Sequence, residues 1–478
     1  MTTKMEFAQV TPGGIDYPDP VRAIQPMARQ NIFITPNAPT TITNIPENHQ
    51  VEFRMPENGV CDVNTLTLNF KLSTNKGVQD GEEVWMHAPG AHALFKTIRW
   101  RLGGVQVCEQ LYYPHIALLD ILQMPTSVVN STLVHLEGVS TIESGAQNDA
   151  IVTTAAKNAT NVEYDGGVVR RPYGVRMPLA NINRQFIVML HTPIHRRGRM
   201  LPLPFLPDLV LQLTFNRADE IFSVVPKGTV KTAFGKSDLA ADFAYSVTEL
   251  RLRYDQLQLP AGYLSGIRQN LEAGQNIHFV LQNDEVVADT IRAQSNNFPS
   301  PMNCSTLNSV QAWIQWTDKT VATTTNVNFK HRPYDMVNEM WDSYHFQIGG
   351  TIYPQIHVDT VQQAINWWLK ESGFENNKAL QPPIDGAGWH ALSANAGTDA
   401  AYKANNLTNG RLACFVMTYD FRKWNASADT LVGINVENNL SVHTKFTSAD
   451  IATKARMFYR HRYTGIWTVM ASGSVSQR

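Results

Sequence analysis

His191 and His195 have the spacing most like a metal motif in this chain, because imidazoles at i and i+4 on one helix face can grip a single ion. Pro193 stands between them and forbids the helix interior that would align both rings. The remaining histidines are scattered, with no H-x-H and no H-E-x-x-H, so no metal ligands are assigned. Gly235-Lys236-Ser237 matches the end of a phosphate-binding loop, but the glycine such a loop needs at 230 is Val230, and Gly228 lies two residues too far back. A flexible loop tip is expected there, and no nucleotide. Asp80, Glu82 and Glu83 would suit calcium only inside a loop supplying further oxygen ligands; nothing around them does, which leaves a solvated turn. No G-x-S-x-G occurs, and no cysteine neighbours a plausible base. Paired carboxylates assembled in space stay open. Two tight basic runs, Arg170-Arg171 and His195-Arg196-Arg197-Gly198-Arg199, would suit phosphate or a neighbour's acidic rim, and otherwise read as solvated loops.

With no catalytic, cofactor or metal residue assigned, the elements themselves carry the information. Phe95, Ile98, Trp100 and Leu102 alternate with polar positions and run into Gly103-Gly104; Trp341, Tyr344, Phe346 and Ile348 do the same before Gly349-Gly350, at a constant offset of 349 − 103 = 246 residues. A short apolar strand follows each glycine pair (105–108 and 351–353), then an amphipathic segment (114–124 and 359–370). Each copy therefore reads as strand, tight turn, strand, helix. Glycine is expected at these turns because a two-residue hairpin needs positive φ at its centre. Gly103, Gly104, Gly349 and Gly350 are assigned as structural turns. A repeat this long is a duplicated domain, since solenoid units recur at tens of residues.

The 478 residues exceed one core and suit two domains of about 240 residues. Charged residues make up 17%, below the usual value of about 25%, and the net charge is −1. Such a surface has no long-range pull on DNA or an anionic membrane and favours burial against other protein. Cys61, Cys108, Cys304 and Cys414 are far apart and read as reduced core residues. The Met1–Met5 start lacks the apolar run of a signal peptide, so synthesis in the cytosol is expected.

Residues 1–30 lack periodicity and read as an N-terminal arm; 31–258 form the first domain with an insertion at 125–172, 259–276 a linker with a short helix near 264–271, and 277–478 the second domain with an insertion at 371–410. Leu209, Leu211, Leu213 and Phe215 alternate with Val210, Gln212 and Thr214, predicting a half-buried strand. Many short strands broken by turns, with one helix per half, predict an all-β chain of two antiparallel sandwiches.

On these features, and on residues 195–215 reading HRRGRMLPLPFLPDLVLQLTF, the chain resembles the double jelly-roll major capsid proteins of icosahedral DNA viruses, of the virophage and polinton-like virus type and related to adenovirus hexon. The Leu201-Pro202-Leu203-Pro204 stretch before an amphipathic strand, and Phe346-Gln347-Ile348-Gly349-Gly350, carry the likeness over residues 40 to 470. The resemblance implies two tandem jelly rolls, no enzyme activity, no cofactor and no small-molecule substrate. It further implies a homotrimer with a pseudo-hexameric footprint in the virion shell. Its partners would be neighbouring capsomers, penton and minor capsid proteins, and a membrane or genome at the inner base. A two-domain β-sandwich hydrolase and a carbohydrate-binding attachment protein are the competing readings.

Overall fold

Alternating apolar residues force each half to close on itself, because a sheet with one greasy face needs a second sheet to cover it. The computed structural model describes residues 28–75, 82–139, 183–197, 200–226, 243–258, 261–316, 333–336, 338, 341–373, 414–422, 433–437, 439–447, 451–452, 455–470 and 475–477. Strands are numbered along the chain. In the first half one antiparallel sheet runs β1 (Ala28–Ile34), β11 (Tyr245–Gln258), β3 (Val60–Thr74), β7 (Arg184–Val188). The facing sheet runs β2 (Gln50–Arg54), β9 (Val210–Phe215), β5 (Phe95–Leu102), β6 (Val105–Gln110). A separate pair joins β4 (Glu82–Met86) to β10 (Phe222–Pro226), and β8 (Leu201–Pro202) adds to β3.

The second half repeats both orders. One sheet runs β12 (Ile277–Thr290), β20 (Ala455–Val469), β14 (Asn303–Trp316), β17 (Met417–Asp420), and the other β13 (Ser295–Ser300), β19 (Leu440–Phe446), β15 (Trp341–Ile348), β16 (Thr351–Val358). Here β18 (Ile434–Glu437) joins β14 and β21 (Val475–Gln477) joins β20. In each half the first strand lies in one sheet and the second in the other, the winding of a jelly roll. The chain is two tandem jelly rolls.

The cores follow from the alternation. Phe53, Leu68, Phe70, Trp100, Leu211, Leu213 and Phe215 are buried between the sheets of the first roll, and Trp313, Tyr344, Phe346 and Val442 are buried in the second half. Phe70 stacks on Phe186 at 5.7 Å and meets Phe95 edge-on at 6.2 Å. Each roll places a helix after its glycine hairpin, Tyr113–Leu122 in the first and Val361–Glu371 in the second. The second is capped at its start: Thr360 Oγ1 accepts from the Gln363 backbone N–H at 3.3 Å, and Gln363 Oε1 accepts from the N–H of Asp359, just before the cap, at 3.0 Å.

Several expectations are refined. Strand β9 is buried along its whole length, not half-buried, because Gln50, Glu52 and Arg99 on adjacent strands cover its polar face through Gln212. Gly103, Gly104 and Gly349 have φ of +56°, +77° and +57°, but Gly350 does not occupy the left-handed region, so that position does not need glycine. The linker helix spans Ala261–Glu272, longer than 264–271. Residues 28–30, expected in the arm, already pair with β11, and 1–27 lie outside the described residues. Short helical pieces Pro193–Arg197 and Ala218–Ile221 add to the first half, as do helical turns within 126–136 at the start of its insertion. Residues 140–172 and 374–410 of the two insertions fall outside the described residues.

Candidate functional site, a buried ionic seam between the rolls

The helix Tyr113–Leu122 carries one charge inside an apolar run, Leu118-Leu119-Asp120-Ile121-Leu122, and every residue of it is buried. A lone buried carboxylate is costly, so Asp120 must find cations. Arg196 Nη2 donates to its Oδ2 at 2.6 Å, while Arg460 Nη2 and Arg462 Nη2, both on β20 of the second roll, reach its Oδ1 at 2.7 and 2.8 Å. Asp284 on β12 accepts from Arg460 Nε at 2.9 Å and is paired with Arg196 from the first roll. Glu371, closing the second helix, accepts from Arg462 Nη1, Ser309 Oγ and Gln311 Nε2, each at 3.0 Å, and pairs with Gln123.

Three carboxylates thus face three guanidiniums, and the set spans both rolls. Burial would raise the pKa of Asp120 and of Asp284, but Arg196 and Arg460 outweigh it and hold both below the usual carboxylate range, Asp120 well below. Burial opposes the charged form of Arg460, yet Asp120 and Asp284 raise its pKa; for Arg462, burial and then Arg460 prevail and lower it. Beside this ionic half lies an aromatic half. His115 stacks on Phe458 at 5.8 Å and 10°, Phe458 on Trp313 at 5.5 Å, and Tyr112 meets Phe458 edge-on at 5.3 Å. A cleft of about 340 Å³ opens there, lined by Lys96, Tyr112, His115, Arg217, Arg456 and Phe458 among others.

Pro193 does not abolish a helix; it opens the short one, where its missing N–H costs nothing. His191 therefore precedes that helix, with Nδ1 3.3 Å from Asp120 Oδ2, while His195 accepts from Thr192 Oγ1 at 2.8 Å and donates to Leu66 O at 3.1 Å. The two rings serve different partners. Arg196, expected in a solvated loop, is instead largely buried in the seam, its side chain 15% exposed. The four cysteines are free; Cys61, Cys108 and Cys414 are buried and Cys304 half-buried. Gly235-Lys236-Ser237, Asp80, Arg170-Arg171 and Gly198-Arg199 fall outside the described residues, as do the side chains of Glu82, Glu83 and Arg197.

A second cluster escaped the sequence reading. His92, Glu137 and His191 bring donor atoms within 4.8 Å of one another. Both His92 nitrogens are already engaged, Nε2 donating to Glu137 Oε2 and Nδ1 accepting from Tyr113 Oη, each at 2.9 Å. The Tyr113 oxygen in turn accepts from His191 N–H at 3.1 Å. The carboxylate–imidazole–hydroxyl order resembles a catalytic triad, but burial lowers the pKa of His92 and raises that of Tyr113 well above its ordinary value. No substrate reaches a hydroxyl packed at 0% exposure. This chain of hydrogen bonds ties residues 92, 113, 137 and 191 together.

Asp120 carried a signal that reading for motifs passed over, a lone charge inside an apolar helical run. Arg460 carried none, since it takes a polar place in the alternation of β20, and the two lie 340 residues apart.

No protein-family model matches the sequence, and no curated protein matches it. Solved structures do. A chain of the Sputnik virophage, determined by cryo-EM, is 11% identical with a TM-score of 0.55, covering 98% of this chain and 92% of that one. The Faustovirus major capsid protein is 9% identical with a TM-score of 0.54, covering 92% and 90%. VP54 of PBCV-1, fitted into a reconstruction of Sputnik, is 13% identical with a TM-score of 0.52, covering 94% and 96%. These are structural proteins of virus particles, similar along nearly their whole length, and the chain has the double jelly-roll fold of viral major capsid proteins.

Proposed function

We propose that this chain is the major structural subunit of an icosahedral virus shell, assembling as a homotrimer whose six rolls give a pseudo-hexameric capsomer. The observation that carries this reading is an interface used once and left open once. Within the chain, the helix side of the first roll packs on the outer face of β12–β20–β14, where Arg460 and Arg462 stand beside Gln311 and Ser309. The matching face of the first roll, β1–β11–β3, has the same pattern: Arg251 and Arg253 on β11 stand beside Asn69 and Thr67. There Arg251 is exposed, Arg253 half-buried, and Phe33, opposite Arg253, is 53% exposed.

A contact that uses two different surfaces leaves one of each unpaired, so it must close into a ring or propagate. If each step turns about 60°, three chains close six rolls. The helix side of the second roll would then cover β1–β11–β3 of the next copy. Neighbouring capsomers, penton and minor proteins, and a membrane or genome at the base would complete the shell, with the residues before β1 as an inner arm.

Light scattering on the purified chain should give three times 53.5 kDa. Changing Arg251→Glu together with Arg253→Glu should release folded monomers. A wild-type chain that is monomeric, stable and well folded at micromolar concentration would overturn the capsid reading in favour of a two-domain hydrolase. A monomer that binds sugars would favour the attachment protein.

A further inference from the structure

Three histidines that lie far apart in the chain meet on one exposed row of the second roll. His345 on β15 is the direct cross-strand partner of His443 on β19, and His357 on β16 flanks it from the other side. The rings are nearly parallel: His345 and His443 have centroids 4.6 Å apart at 5°, His345 and His357 4.2 Å apart at 16°. Their strand neighbours Tyr344, Phe346, Val442 and Thr444 are buried, so by alternation the imidazoles stand on the outer face. His345 and His443 are half-buried and His357 is exposed.

The duplicated roll supplies an internal control. Arg99, 246 residues before His345, occupies the same place on β5, and its row reads Glu52, Gln212, Arg99, Glu109 across the sheet. That row is closed by its own contacts, with Arg99 Nε on Glu109 Oε1 at 2.6 Å and Gln212 Nε2 on Glu52 Oε1 at 3.0 Å. The second roll reads Asn297, His443, His345, His357 instead. Among the described residues no carboxylate pairs with these imidazoles; the nearest charge along β19, Lys445, is held by Asp342 at 2.9 Å. Ser441 Oγ lies 2.9 Å from His443 Nε2, and neither ring nitrogen of His345 or His357 has a hydrogen-bond partner among the described residues.

We propose that His345, together with either His443 or His357, binds a borderline divalent transition-metal ion such as nickel, copper or zinc on this face. Neutral imidazole is the ligand these ions favour. Two nitrogens at about 2.0–2.1 Å from a tetrahedral ion lie about 3.3 Å apart, and because each lone pair lies in its ring plane, the stacked rings must swing out of parallel about their side-chain torsions to converge on one ion, a rotation open to side chains on an outer face. Burial, then His443 and His357, push the pKa of His345 down to about 4, and burial lowers that of His443 as well. At neutral pH the ion therefore displaces little proton. Because the flanking rings lie on opposite sides of His345, one ion takes two imidazoles, and water completes its shell. The site is independent of the capsid reading.

The test is calorimetric titration of untagged, metal-stripped protein with nickel chloride, with copper electron paramagnetic resonance counting the ligating nitrogens. One ion per chain and two nitrogens are expected. His345→Asn should weaken binding by at least about tenfold. His443→Asn or His357→Asn alone should leave it within about threefold of wild type, because the other pair remains, and the double variant should lose it. The double variant also carries the test if His345→Asn fails to fold, which its melting without metal would reveal. Absence of nickel binding in the wild type, or equal binding by wild type and the double variant, would overturn the assignment.

Discussion

The two helices that follow the glycine hairpins began as copies and now do different work. In the first, Tyr113–Leu122, all ten residues are buried; in the second, Val361–Glu371, only Ala364, Trp368 and Glu371 are. The core positions correspond, since Leu118 and Leu122 lie 246 residues before Ala364 and Trp368. The outward positions do not. Asp120 corresponds to Asn366, which is exposed, whereas Asp120 is gripped by three arginines. The core face of a jelly-roll helix is dictated by its own roll, and the other face by whichever roll packs against it. Where the first helix meets the other roll, a charge has been buried and neutralised; on the second, the outward positions Gln362, Gln363 and Asn366 stay uncharged and exposed, and only Glu371 at its end reaches the seam.

Removing the first helix's charge should break this comparison most severely. Asp120→Ala leaves the buried Arg460 and the largely buried Arg196 and Arg462 beside fewer anions, and should cost about 3–5 kcal/mol, read as a lowered denaturation midpoint. Asn366→Ala, its counterpart, should change the same midpoint by less than about 0.5 kcal/mol. Equal effects would mean that the seam is not what separates the two rolls.

Acid should next strike both rolls alike. His195 in the first and His461 in the second have pKa values pushed by burial down to about 3. Each contributes stability that is complete above the unfolded value of about 6.5 and is lost as pH falls toward the folded value, at about 1.4 kcal/mol per pH unit. Asp120 and Asp284 are depressed carboxylates, so their contribution is complete above about 3.9 and is lost only below it. Melting curves between pH 6.5 and 4.5 should therefore fall on account of the histidines, and His195→Asn should flatten the slope by about one proton's worth.

The hairpins give the smallest and most local contrast. Gly103→Val and Gly349→Val put a β-branched residue at positive φ and should each cost about 1–3 kcal/mol by chemical denaturation. Around Gly349 a new Cβ meets only Asn439 at 3.5 Å, so the penalty there is backbone strain and not a clash. Gly350→Ala, lacking both positive φ and near neighbours, should be close to neutral.

The duplication was legible because it is written locally. Trp100, Leu102 and Gly103 against Phe346, Ile348 and Gly349 state strand, turn and core in a few residues, and burial against the chain's own second sheet requires that pattern. Length and alternation likewise determined an all-β chain of two domains. Strand β13, with the sequence SNNFPS, was not legible: Phe298 is its one buried apolar residue, and it is held as a strand by β19. The seam and the histidine row were invisible for a deeper reason. Asp120 with Arg460, and His345 with His443 and His357, are joined only when distant strands reach register, and a charge or imidazole carries no mark of the partner it will meet. Periodicity sets which face of an element is buried, but only the packing of one roll on the other decides which buried charge is neutralised.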